Sequence, residues 1–150
     1  MANVLHDNIL EPLRDLVATA FASKLKLYLL DKFEMQAPRG LVIRPLACSW
    51  VHLDHSQATV TKRYTVPMRY YERLTGAVTL AQAKQLSEAV SEIEEMVWGS
   101  ADLIQGGAYR WHNAQITAGT YEPDLTEEEQ AVDDLRVVEF TLTFDVTDTL

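Results

Sequence analysis

Toward the end of the chain, Val138, Phe140, Leu142, Phe144 and Val146 alternate with Val137, Glu139, Thr141, Thr143 and Asp145. A period of two predicts a strand over 136–150 with one face in the core and the other largely wet. A different period governs 79–99. There Leu80, Ala83, Leu86, Val90, Ile93 and Val97 recur at steps of three and four, one apolar stripe of an amphipathic helix. Thr79 can cap its start, and Gly99 follows its last turn. Val4, Leu5, Ile9, Leu13, Leu16, Val17, Ala20 and Phe21 predict a first helix over 4–22. Pro12 either kinks it or marks the first turn of a helix beginning near Asn8. Residues 24–33 fit two patterns, with Leu25, Leu27 and Leu29 alternating while Phe21, Leu25, Tyr28 and Leu29 continue the stripe; helix continuation is the expectation. Turn-forming residues at 37–40 precede strand signals at 41–43 and 47–53, interrupted by Pro45, which suggests an edge or a bulge. After a turn at 55–58, residues 58–73 are rich in β-branched and aromatic residues and predict another strand, whose pairing Pro67 limits. Gly106 and Gly107 make a turn, and 108–121 predicts a further strand with a possible break at Gly119. Within 122–134, Thr126 and Glu129 stand at capping-box spacing. The order helix, strands, helix, strands gives an α+β fold, with the N-terminal helix and one long central helix packed on a mostly antiparallel or mixed sheet, in a single domain over 1–150.

Composition narrows the class without naming a function. Hydrophobic residues make up 47% and charged residues 23% of the 150, a globular balance that argues against disorder of the whole chain. No apolar run approaches the roughly 20 residues that span a bilayer. The opening MANVLHDNILEP lacks a basic start and a continuous apolar stretch, so a signal peptide is not expected. Cys48 is the only cysteine, which rules out an intrachain disulfide and suits assembly in a reducing cytoplasm. The net charge of −9 is uneven, +3 over residues 1–73 and −12 over 74–150. Such asymmetry suits a subunit whose basic surface meets the acidic surface of a neighbour. It disfavours high-affinity nucleic-acid binding, which needs concentrated positive charge.

Chemical candidates are sparse. His52 and Asp54 of HLDH share a strand face, and His112 is a conceivable third ligand, but a metal site needs three or four converging donors. Cys48 lies in a predicted strand and reads as a small buried hydrophobe. Glu92, Glu94 and Glu95 suit a solvated helix face. No nucleophile elbow, phosphate-binding loop or dinucleotide fingerprint occurs, so no catalytic residue, metal or cofactor is assigned. The stretch KRYTVPMRYYER, 62–73, interleaves basic residues with tyrosines. That mixture serves a protein interface, stacking on single-stranded nucleic acid, or a solvated strand. Segment 122–134 holds seven acidic residues and no basic one; alone it reads as a mobile, solvated loop. The candidate contact between copies or with a partner therefore sets Lys62, Arg63, Arg69, Tyr70 and Arg73 against Glu127, Glu128, Glu129, Asp133 and Asp134.

The helical start, the basic strand pair, the central amphipathic helix and the closing VVEFTLTFDV resemble tail terminator and neck proteins of long-tailed bacteriophages. The resemblance rests on size and element order over nearly the whole chain, and no family residue is carried over. It implies a structural virion protein and no enzyme. It implies a ring of identical copies, commonly a hexamer, on the end of the tail tube. The partners implied are the tail tube protein and a head-completion, connector or other neck protein. It also implies passage of DNA through the ring without specific binding, no membrane, and assembly in the host cytoplasm. An open edge on the last strand would be covered by the next copy, since head-to-tail interfaces close when the rotation closes. Two alternatives stay open: a small-molecule or protein-binding α+β module with a pocket near Trp50 or Trp111, and a small metal-dependent enzyme using His52, Asp54 and His112.

Overall fold

Two 15-residue strands form the spine of the fold, β4 (Thr59–Arg73) and β6 (Leu135–Thr149). They run antiparallel in unbroken register from Thr59↔Thr149 to Arg73↔Leu135. The computed structural model describes residues 10–21, 25, 27–29, 39–73, 79–99 and 109–149, with 109–112, 148 and 149 described by backbone alone. Around the spine lie α1 (Glu11–Ala20), β1 (Leu27–Leu29), β2 (Arg39–Ile43), β3 (Ser49–His55), α2 (Leu80–Gly99), β5 (Tyr109–Thr120) and α3 (Glu127–Gln130). The sheet order is β1-β2-β4-β6-β5, with β3 also paired to β4. Every pairing is antiparallel except β1 with β2. The α+β architecture with helices on a mixed sheet is therefore the one the sequence predicts.

β4 carries two partners in tandem on one edge. β2 covers Met68 to Glu72 and β3 covers Val60 to Thr65. Pro67 falls in the gap between them and faces only Thr141 of β6 in the ladders. A residue without an N–H costs least where no ladder needs one on that side. Pro45 has the same logic, opening a short 3₁₀ turn, Pro45–Ala47, that carries the chain from β2 to β3.

Alternation along the spine makes two apolar layers. On one face Tyr64, Val66, Met68 and Tyr70 of β4 meet Val138, Phe140, Leu142 and Phe144 of β6, and the helices close over them with Leu13, Val17, Val90, Ile93 and Val97. The helix over 80–99 matches the expected stripe, but only from Leu86 onward is that stripe buried; Leu80 and Ala83 are exposed. Thr79 caps it, its Oγ1 accepting from Gln82 N–H at 3.3 Å while Gln82 Oε1 accepts from Thr79 N–H at 3.0 Å. In α1, Pro12 occupies the first turn as expected; residues 1–9 of that expected helix, and the turn at 106–107, lie outside the described residues.

Four expectations are overturned. The helix expected to continue through 24–33 is a strand at its described residues 27–29; 24, 26 and 30–33 lie outside the described residues. Leu27 to Leu29 pairs in parallel with Leu41 to Ile43, Leu25 and Leu27 enter the core, and Tyr28 turns to the opposite face. There Gly40 makes room, since a Cβ at that position would stand 3.2 Å from the Tyr28 ring. β6 has no open edge along most of its length, because β4 and β5 flank it. Its second face is not wet: Val137, Thr143 and Asp145 are buried. Gly119 does not break β5, which instead bulges between His112 and Gln115 and between Ile116 and Ala118.

Candidate functional site

The second face of the sheet organises the acidic segment. Tyr71 and Arg69 alternate with the core residues of β4 and so point away from the helices. Val42, Tyr71, Leu135 and Val137 form a small apolar cluster there, packed by Leu125, Val132 and Tyr28. The segment over 121–134 lies on this cluster. Its capping box is complete, with Thr126 N–H donating to Glu129 Oε1 at 2.8 Å and Glu129 N–H donating to Thr126 Oγ1 at 3.3 Å. Glu129 is fully buried. Arg69 Nη1 donates to both its oxygens, at 2.7 and 2.9 Å, and the Tyr71 hydroxyl donates to Oε2. Arg69 also reaches Glu139 at 2.9 Å and the Asp124 carbonyl at 3.3 Å. Burial pushes the Glu129 carboxyl toward the neutral form, but donors from Tyr71, the Thr126 backbone and Arg69 outweigh it and hold the carboxyl below its usual range. Burial and the neighbouring carboxylate raise the Tyr71 phenol well above its ordinary value. Segment 122–134 is thus clasped to the sheet at Leu125, Glu129 and Val132, while its other carboxylates stay exposed.

A second ion pair fixes the far end of the sheet. Arg63 Nε and Nη2 donate to Asp145 at 2.8 and 3.1 Å, and Asn113 Nδ2 adds a bond of 3.0 Å. Asn113 takes a left-handed backbone, φ 55°, at the first bulge of β5, a conformation that asparagine tolerates better than most residues.

Beside this end stands the β3–β4 hairpin. All seven residues of β3 are exposed. Trp50 is 52% exposed, Val51 57% and Leu53 46%, large apolar fractions for neighbouring residues on one strand. Trp50 pairs with Tyr64 and Val51 with Arg63, so the two side chains lie on opposite faces. Lys62 stands over the Trp50 ring at 4.8 Å, and His52 meets the ring edge at 5.1 Å. The register shifts at Leu53. Among the described residues no strand pairs with the outer edge of β3.

An apolar groove of about 760 Å³ opens at the other end of β6. One wall is the start of α2, with Ala83 and Leu86; the other is Tyr121, Pro123 and Leu125; Leu135 and Val137 lie between them. β5 leaves β6 at Thr120↔Glu139, and the chain turns away through 121–126, so the groove occupies the space where β5 has ended. Gln85 Nε2 donates to Glu72 Oε1 at 3.1 Å and ties this part of α2 to the buried end of β4.

The residues expected at an interface separate into two groups. Tyr70 is buried in the core and its hydroxyl accepts from Arg39 Nε at 2.8 Å; its phenol is pushed up to about 12, by burial foremost. Glu129, Arg69 and Arg63 hold partners of their own chain. Arg73, Glu127, Glu128, Asp133 and Asp134 are exposed and Lys62 is half-buried. Of the two segments expected to meet across copies, Arg69 and Glu129 pair within one chain. Sequence reading missed Asp145, Glu72 and the groove. Asp145 sat on a face expected to be wet, and Arg63, which holds it, is far away in sequence.

The candidate chemistry also has a place. His52 and Asp54 lie either side of the β3 bulge, and Asp54 Oδ1 accepts from His55 N–H at 2.9 Å. The His112 side chain lies outside the described residues. Among those described, no group of three His, Cys, Asp or Glu side chains is placed to hold a metal ion. Cys48 precedes β3 and is half-buried; burial raises its thiol to about 11, so it is protonated at neutral pH. Trp50 lies on the hairpin surface and does not line the groove. Among the described residues no helix is long and apolar enough to cross a membrane.

No protein-family model and no curated protein matches the chain. Among solved structures, a chain of the virion of native gene transfer agent (GTA) particle is similar in fold, with a TM-score of 0.54 at 14% identity over 87% of this chain and 84% of that one.

Proposed function

We propose that this chain is a structural protein of a phage-like virion, acting as a tail terminator whose copies form a ring at the end of the tail tube and join it to the head or neck. The observation that carries the reading is the likeness of fold to the gene transfer agent virion chain, which extends over most of both chains. The distribution of surface chemistry supports it. One end of the sheet exposes an apolar hairpin, the other an apolar groove beside an acidic layer, and unlike surfaces at opposite ends suit head-to-tail closure.

Electron microscopy and light scattering of the purified chain, alone and with tail tube protein, test the reading. The expected result is a discrete ring with a central opening. A monomer under all conditions and within its native particle overturns it. The net charge of −9 carries a second expectation. Rings pass DNA without retaining it, because carboxylates and phosphates repel. Retention of duplex DNA by purified rings at physiological salt would show that the opening is not acidic.

A further inference from the structure

We infer that the β3–β4 hairpin of one copy seats in the groove between α2 and residues 121–125 of the next copy, making the head-to-tail contact of the assembly. This rests on the ring reading and gives it a specific joint.

The hairpin needs a slot and not a flat surface. Trp50 and Val51 are both more than half exposed and lie on opposite faces of β3. A flat partner covers one of them and leaves the other in water. The groove has two facing walls, helix α2 on one side and the 121–125 segment on the other, so a strand between them is covered on both faces. Apolar side chains that become buried in this way leave water, which favours the contact.

The hairpin cannot seat in the groove of its own chain. Through the ladders Val51 lies across Arg63 from Asp145, whereas the groove is lined by Val137. Eight residues of β6 separate those positions, about 26 Å at the usual rise of a strand. β3 is bonded along β4 at one end of the sheet, so a β3–β4 hairpin seated in the groove comes from another molecule.

Charge favours a second copy as that molecule. The groove wall carries Glu122 in a segment with seven acidic residues and no basic one over 122–134. The hairpin carries Lys62 above the Trp50 ring. Seating the ring between the walls brings the ammonium group to the acidic rim, where opposite charges steer docking and fix register.

Disulfide trapping tests the contact on the full chain. In a Cys48→Ser background, Leu53→Cys and Ala83→Cys each place a thiol at an exposed position, and each protein is examined alone, mixed with the other, and as the double variant. The expected result is a cross-linked dimer only in the mixture, and a ladder of multimers in the double variant. Separately, Trp50→Glu and Val51→Glu raise the concentration for half-assembly roughly tenfold or more, with an unchanged circular dichroism spectrum and melting temperature. Rings that form but show no Leu53–Ala83 cross-link, or cross-link Leu53→Cys to itself, overturn this joint and leave the ring reading standing. Capture of tail tube protein by Ala83→Cys in place of a second copy also overturns it. Absence of any ring, with or without tail tube protein, removes both.

Discussion

Glu129→Ala is expected to cost roughly 3 kcal/mol, because it leaves the buried Tyr71 hydroxyl without its acceptor and Arg69 with only the part-exposed Glu139 as counter-charge. Glu129 is fully buried and joins two elements of structure: the first turn of α3 through Thr126, and β4 through Arg69 and Tyr71. Its loss strips the acceptor from the buried Tyr71 hydroxyl and from half-buried Arg69, as well as the charge. Replacing the pair together, Arg69→Met with Glu129→Leu, recovers much of that cost, since the desolvation of both charges disappears with them. The same carboxylate gives the protein an acid-sensitive layer. A carboxyl held below its usual range contributes stability that is fully present above the unfolded-state value near 4.3 and is lost as the pH falls through the folded-state value. Urea denaturation of wild type at pH 7 and pH 3, against Glu129→Gln, isolates the contribution, because the amide has no proton to gain in this range. If Glu129→Ala lies within about 1 kcal/mol of wild type, or Glu129→Gln loses stability in acid as steeply as wild type does, the clasp is not what holds 121–134 to the sheet.

Phe140→Ala is the second large effect, expected at roughly 3–5 kcal/mol. Phe140 is 1% exposed at the middle of β6. It faces Met68 across one ladder and Gly119 across the other, and its ring lies 3.8 Å from the position that a Gly119 Cβ would take. The aromatic ring thus lies beside the bare backbone of its neighbour, a pairing that offsets the weakness of glycine within a strand. Truncation opens a cavity between helix layer and sheet. Chemical denaturation of Phe140→Ala and of exposed Thr120→Ala, which should stay within about 0.5 kcal/mol of wild type, checks the assignment.

How far the fold could be read from the sequence depended on whether a segment's partners were local. The α2 stripe, the alternation of β6 and the Thr126–Glu129 box all use spacings under five residues, and each stands where the pattern placed it. Residues 25–29 did not yield, since Leu25 and Leu29 serve both a helical and a strand period. The choice was made by Leu41 to Ile43, a parallel partner well downstream. The odd face of β6 misled for the same reason. Asp145 reads as solvated until Arg63 and Asn113 are brought to it. Leu80 and Ala83 show the converse, a regular apolar stripe running beyond the core, with Ala83 on the groove wall and Leu80 exposed. Of the candidate contact, the exposed acids and Lys62 could be named from charge alone; the hairpin's exposed Trp50 and the groove needed the sheet order.

Pro67 divides one side of β4 into two short seams, while the opposite seam with β6 runs past it without interruption. Any force applied to the arm formed by β3 therefore reaches the body of the subunit as shear along that single continuous seam. Its fifteen matched positions share the load from one end of the molecule to the other. If copies close into the proposed ring, tension around it passes through this two-stranded tie in each copy.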